Sequence, residues 1–243
     1  MQQPQRNRDR LPNQIKPIRR AYDFILVCQE RGLCVRADCS IKAVIWDCGG
    51  VIIRTEDDRS RREWERRLGL AHYELDRIVM ASESWIQAQC GDITEDQYWS
   101  DIQHQLGLDE RSLRSLRDDF YAGDRANAVV TDVIRRLRSH YKQAILSNAP
   151  LSLHADLRDR FQIAGLFHVI VASAVIRVMK PNARAYGAAL EALGLRADET
   201  VFIDDLLPNI DAARRLGMHV IHFDSYDYDV RPKLDALLGS PEL

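Results

Sequence analysis

Two textures of hydrophobic patterning divide the chain. From about Ala126 onward, short unbroken apolar runs alternate with longer stretches in which apolar residues recur every third or fourth position. The runs Gln143–Ser147, Val169–Ala172, Thr200–Asp204 and His219–His222 predict strands covered on both faces. Between and around them, Val129–Leu137, Leu151–Arg160, Pro181–Leu193 and Pro208–Leu216 carry the helical period, and Gly217 ends the last of these helices. Such alternation predicts an α/β fold, a Rossmann-like parallel sheet core with right-handed crossovers and helices on both faces. An earlier run from Lys42 supplies a first strand that ends at Asp47 and is followed at once by Gly49 and Gly50.

Residues 55–122 read almost entirely as helix, without the period-2 alternation of strands. Asp57 and Asp58 open one segment that ends near Gly69, and Tyr73–Met80, Trp85–Cys90 and Thr94–Leu106 continue the pattern. Thr94 and Gln97 have the spacing of a capping box. The expected organisation is a catalytic core of residues 41–54 and 123–243, interrupted by an α-helical cap at 55–122. Trp64, Trp85 and Trp99 fall in that insert at helical spacing, where aromatic residues usually form core. Residues 1–40, polar and Arg- and Gln-rich at the start, read as an amino-terminal extension whose first part is disordered, with Tyr22–Cys28 as a short strand or helix face.

The strand ends carry the chemistry. Asp47 closes the first strand, Ser147–Asn148 the second and Asp204–Asp205 the fourth, while Lys180–Pro181 opens the helix after the third. In a parallel sheet these ends converge on one edge, the edge at which open α/β sheets bind ligands. Each residue alone has an ordinary explanation: Asp47, Asp204 and Asp205 as caps, Ser147 as a turn residue, Lys180 as a solvated surface lysine. Together, the three carboxylates repel by roughly 4 kcal/mol per close pair at an effective dielectric near 20. A divalent cation removes that cost, and an all-oxygen carboxylate set suits magnesium, Mg2+, which keeps waters and bridges to phosphate. Gly49 and Gly50 let the main chain turn sharply and approach a ligand.

Composition narrows the classes further. A 46% hydrophobic, 29% charged chain of 243 residues with a net charge of -2 has material for a core and no electrostatic footprint for nucleic acid or an anionic membrane. No apolar stretch approaches the roughly 18 residues needed to span a bilayer, so a cytoplasmic location is expected. The five cysteines, at 28, 34, 39, 48 and 90, lack paired spacing and read as reduced thiols. Monomer and homodimer are equally compatible with the sequence.

Over residues 41–225 the chain resembles the haloacid dehalogenase-like hydrolases, in the phosphatase branch with an α-helical cap after the first strand. The matching segments are Val44–Val51, Ala144–Asn148, Lys180–Asn182 with Tyr186 and Leu190, and Val201–Asp205 through Asn209 to Met218. The resemblance implies a magnesium-dependent hydrolysis of a small-molecule phosphate ester through an aspartyl-phosphate on Asp47. It implies that Ser147 and Lys180 serve the transferring phosphoryl group, with Gly49, Gly50 and Asn148 around it. It implies a metal held by Asp47, the Gly49 carbonyl, Asp204 and Asp205. A carboxylate nucleophile is already ionised at neutral pH, and a lysine, a hydroxyl, backbone amides and a metal are the donors that phosphoryl transfer needs.

The sequence departs from the family pattern at Gly49, where most phosphatase members carry a second Asp as acid and base. Family members acting on sugar phosphates resemble this chain there, which points to a substrate with a weakly basic leaving group, such as an anomeric sugar phosphate, or to another proton donor. Val175 and Arg177 replace a common Glu and Gly before Lys180, and Arg177 reads as a surface residue. Two alternatives stand beside the phosphatase: a metal-independent 2-haloacid dehalogenase attacking carbon, and a non-catalytic phosphate-binding or scaffolding protein.

Overall fold

The structure is a computed structural model that describes residues 40–225 and 228–239. The expectations for the amino-terminal extension, for Tyr22–Cys28 and for Cys28, Cys34 and Cys39 lie outside those residues. Cys48 and Cys90 are free thiols.

In chain order, β1 (Ala43–Trp46) is followed by β2 (Ile53–Thr55) and then five helices: α1 (Arg59–Leu68), α2 (Glu74–Met80), α3 (Glu83–Gln89), α4 (Glu95–Leu106) and α5 (Glu110–Tyr121). The chain returns through β3 (Asp124–Ala126), α6 (Ala128–Leu137), β4 (Lys142–Ser147) and α7 (Leu153–Ala155), which runs on into a π-helical turn, Asp156–Arg160. It continues with β5 (Val169–Ala172), α8 (Ser173–Ile176), α9 (Ala183–Leu193), β6 (Thr200–Asp204), α10 (Leu207–Arg215), β7 (His219–His222) and α11 (Arg231–Leu238).

Five strands form one parallel sheet in the order β5-β4-β1-β6-β7. Successive residues of β1 face opposite layers, and both layers are apolar, which is why the strand reads as an unbroken hydrophobic run. Val44 and Trp46 pack with Val133 and Ile134 of α6 and Leu234 of α11. Ala43 and Ile45 pack with Tyr186 and Ala189 of α9 and Ile210 of α10. Trp46 pairs with Ile145 and Ile203 in register, so the first residues beyond β1 stand level with the ends of β4 and β6.

The five helices between β2 and β3 build a hydrophobic cluster of their own from Trp64, Leu75, Val79, Trp99, Ile102 and Phe120, among others. The chain leaves and re-enters through a short antiparallel ladder in which Ile53, Arg54 and Thr55 pair with Ala126, Arg125 and Asp124. A Cβ on Gly123 would lie 1.6 Å from the Asp57 carbonyl oxygen, so only glycine lets the two linkers run this close. Arg61 ties the base of the insert. Buried itself, it donates to the Phe120 carbonyl and pairs with Asp76 and Asp124.

Several elements differ from the sequence expectations. Thr55, expected at the start of the helical region, sits in β2. The segment 151–160 is not one α-helix but a single α turn widened to a π turn, the usual form in which such a turn occurs. The helix expected from Pro181 begins at Ala183, because the Asn182 side chain accepts the Arg184 amide and caps it there. The Thr94–Gln97 capping box is formed as expected. Trp64 and Trp99 are buried core, whereas Trp85 is half-buried and borders the main cavity. No helix among the described residues is long and apolar enough to cross a membrane.

Candidate active site

The sheet delivers its polar residues to one edge. Asp47, the residue after β1, donates its backbone amide to the Ile203 carbonyl of β6 and so is held level with Asp204. Carboxylate oxygens of Asp47, Asp204 and Asp205 all lie within 4.8 Å of one another. Lys180 reaches into this group, 2.8 Å from Asp47 Oδ1 and 2.7 Å from Asp204 Oδ2, and is itself buried. Ser147, Asn148, Gly49 and Gly50 line the same cavity beside Asp47, Lys180 and Asp205. Every site residue expected from the sequence is therefore brought to one place, with Asp204 as the one that does not line the cavity itself.

Asp204 is fully buried and fully engaged. Lys180 pairs with it, the Asn209 amide donates to both its oxygens at 3.0 and 3.1 Å, and the Leu206 backbone amide donates at 2.8 Å. Those bonds orient the carboxylate and leave Asp205 as the more accessible of the pair. Asn209, five residues beyond Asp204, is a positioning residue that the sequence reading included in a matching segment without giving it a role; its polar side chain on an otherwise buried helix face was the available signal.

Asn148, expected around the phosphoryl group, lines the cavity and also holds the lysine. Its side-chain amide donates to the Lys180 carbonyl at 3.0 Å and accepts the Lys180 amide at 2.8 Å. This two-point clamp fixes the backbone that carries the lysine. The Asn148 carbonyl in turn accepts Gln89 Nε2 from the helical insert at 2.9 Å. The insert also meets the core at Ser173, whose hydroxyl donates to the Gln89 carbonyl at 2.6 Å and accepts the Ala149 amide at 3.0 Å. Arg177 is exposed and donates to the Gly91 carbonyl and Asp92, so its charge serves the insert and not the carboxylates.

Gly50 explains the second glycine of the turn. Its φ is +80°, and a Cβ there would lie 2.2 Å from Asp205 Oδ2. The Asp205 carboxylate is thus packed directly against bare backbone. Gly49 has open space where its Cβ would be, so no side chain occupies the position of the family's acid and base.

The electrostatics are those of crowded anions. Burial, and then the neighbouring charges of Asp204 and Asp205, outweigh Lys180 and push the Asp47 carboxyl up to about 7. Burial and Asp204 likewise raise Asp205. Burial works against the charged form of Lys180, but the carboxylates of Asp47 and Asp204 outweigh it and hold its ammonium above the ordinary value. A group of acids raised in this way is a site that gains from a cation. The oxygen-only donor set of Asp47, Asp204 and Asp205 fits magnesium.

A parallel sheet with an inserted helical body thus presents a carboxylate–lysine cluster at its strand ends. The chain belongs to the haloacid dehalogenase-like hydrolases, whose family model matches residues 41–217. Among curated proteins it is 28% identical over 184 residues to a sesquiterpene phosphatase of Aspergillus oryzae, covering 75% of this chain and 90% of that one. It is 27% identical over 197 residues to a phosphatase of Mycobacterium tuberculosis, covering 76% of this chain and 88% of the other. A HAD family enzyme of Bacteroides thetaiotaomicron, solved in complex with magnesium and inorganic phosphate, superposes with a TM-score of 0.65 at 20% identity, over 77% of this chain and 98% of that one.

Proposed function

We propose that this hydrolase cleaves phosphate esters with magnesium, through an aspartyl-phosphate on Asp47. The observation that carries this reading is the convergence of three carboxylates within 4.8 Å, with Lys180 bonded to two of them, on the floor of a cavity that Ser147 also lines. The phosphatase names of two relatives and the magnesium and phosphate bound by a structural neighbour support it. An attack on carbon needs no cation, so the paired Asp204–Asp205 suits the phosphatase better than a 2-haloacid dehalogenase.

In the proposed sequence a carboxylate oxygen of Asp47 attacks phosphorus as the bond to the leaving oxygen breaks. Water then attacks the same phosphorus, releasing inorganic phosphate and restoring Asp47. Lys180 opposes the burial that raises Asp47 and, with the Ser147 hydroxyl and the Gly49 backbone amide, neutralises charge on the phosphoryl oxygens. Asp47, Asp205 and the Gly49 carbonyl would hold magnesium, which would supply the remaining charge neutralisation when bound. The helical insert, clamped to the core through Gln89, acts as a cap that excludes water. Because Gly49 offers no proton donor, rates depend steeply on the basicity of the leaving group.

The deciding experiment is turnover of p-nitrophenyl phosphate with and without magnesium, in the wild type and in Asp47→Asn. Magnesium-dependent release of phosphate that the variant lacks is the expected result. Chelator-insensitive halide release from 2-chloropropionate would instead favour the dehalogenase. The side chain missing at Gly49 favours one second reading, a phosphate-binding protein without turnover, and magnesium-dependent phosphate binding with no hydrolysis across an ester panel would establish it.

A further inference from the structure

We infer that the ester cleaved here carries a long apolar organic group. The inference rests on the phosphatase reading above and names its substrate class.

The cavity that contains Asp47 extends far beyond the space a phosphate fills. Its volume is about 740 Å³, well within the roughly 300–1,000 Å³ of small-molecule pockets. At about 30 Å³ per water-sized group it holds on the order of twenty such groups, and a phosphate is only five atoms. Away from the strand ends its walls are mostly hydrocarbon, interrupted by Arg54, Tyr121, Asp124, Asp156 and Arg160. Met80, Trp85 and Ile86 come from the insert, and Leu153, Leu157 and Phe161 from the segment after β4. Met80, Ile86 and Leu206 are 43%, 50% and 55% exposed, which is costly for such side chains unless something covers them.

Most polar side chains along the same walls are already engaged within the protein. Thr55 donates to Asp124 at 2.7 Å, Gln89 to the Asn148 carbonyl at 2.9 Å and Arg160 to the Tyr121 carbonyl, Asp156 accepts the Ser152 hydroxyl at 2.9 Å, and Asn209 is bonded to Asp204. The hydroxyls of a sugar would have to displace these bonds, and each polar group left imperfectly paired costs affinity. A hydrocarbon chain asks only for apolar surface, which the cavity supplies. The same comparison sets aside the sugar phosphate that Gly49 alone suggested.

The test uses 4-alkylphenyl phosphates from methyl to octyl, since lengthening the alkyl chain leaves the basicity of the departing phenolate almost unchanged. Here kcat/KM should rise about three- to fourfold for each methylene that the cavity buries, giving more than a hundredfold across the series. Met80→Ser and Ile86→Ser, at exposed positions that the fold tolerates, should each lower the octyl-to-methyl ratio at least fivefold. A flat series, or a hexose phosphate turned over better than the octyl ester, overturns the inference while leaving the phosphatase reading intact. Absence of magnesium-dependent turnover for every ester, p-nitrophenyl phosphate included, overturns both.

Discussion

Gly50→Ala separates the cost of a strained backbone from the cost of a misplaced ligand. The backbone at Gly50 has φ +80°, in the region where an L side chain meets its own carbonyl, at about 1–2 kcal/mol. For a chain of this size that corresponds to a fall in Tm of roughly 2–8 °C. The second effect is local. The new Cβ would lie 2.2 Å from Asp205 Oδ2, and ordinary contact begins at 3.4 Å, so the carboxylate must retreat by the difference, 1.2 Å. The end of a side chain moves at small energetic cost, so stability registers the strain alone. The metal site registers the displacement, and disturbing a metal's supporting geometry typically lowers affinity about 10- to 100-fold. Gly49→Ala is the internal control, because its Cβ would enter open space and no positive φ applies there. Calorimetric titration with Mg2+, beside thermal unfolding in chelator, reads both effects. Equal Mg2+ affinity in Gly50→Ala and wild type would refute the placement of Asp205 as a ligand, and so would equal losses in the two variants.

Magnesium binding should release protons near neutral pH. Burial and its acidic neighbours hold Asp47 up to about 7 in the metal-free protein, above the ordinary 3.8, so at pH 7 about half a proton should leave as the cation binds. Titrations in two buffers of different ionisation enthalpy measure it. The sign for stability follows: a carboxyl raised on folding opposes folding above its unfolded pKa, so metal-free wild type should lose stability between pH 4 and 7, and Asp47→Asn should flatten that slope. Gly49→Asp, placed in open space, should raise turnover of esters with basic leaving groups at least tenfold, within the roughly 100- to 10,000-fold that a positioned acid supplies. An unchanged dependence on leaving-group pKa in that variant would show that proton donation is not what Gly49 lacks.

The sheet was legible in the sequence because each strand is covered on both faces, so burial appears as an unbroken run that ends at a polar residue. The same property located Asp47, Ser147 and Asp204–Asp205, since an acid that closes such a run stands at the sheet's edge whatever the loops do. The β2–β3 ladder was not legible. It is three residues long, half-exposed and built around Arg54 and Arg125, so neither alternation nor apolar content marks it. The C-terminal helix α11, with Leu234 as its buried residue, also lacks a strong stripe. The role of Asn148 depends on which backbone lies opposite its amide, 32 residues away in sequence. The cavity walls were hidden for a related reason. Periodicity shows that Met80 and Ile86 are apolar residues on helices, but the packing of the insert against the core decides that they border the strand ends.

Charge at those strand ends fixes the order in which ligands enter. Asp47, Asp204 and Asp205 ionised bring three negative charges, and Lys180, bonded to Asp47 and Asp204, returns one positive charge. With Asp47 about half protonated at pH 7, the metal-free cluster stands between minus one and minus two, and an arriving phosphate dianion is repelled by roughly 4 kcal/mol for each close pair at an effective dielectric near 20. A divalent cation brings the cluster to neutrality before the phosphate arrives. Inorganic phosphate should then bind only after magnesium, with no calorimetric signal in chelator. Asp205→Asn separates this account from one in which the cation is merely a structural clasp. Removing one charge should weaken Mg2+ binding yet let phosphate bind the metal-free variant more tightly than it binds metal-free wild type. If phosphate binding is lost in Asp205→Asn under chelator as completely as in the wild type, repulsion at this cluster is not what makes phosphate wait for the metal.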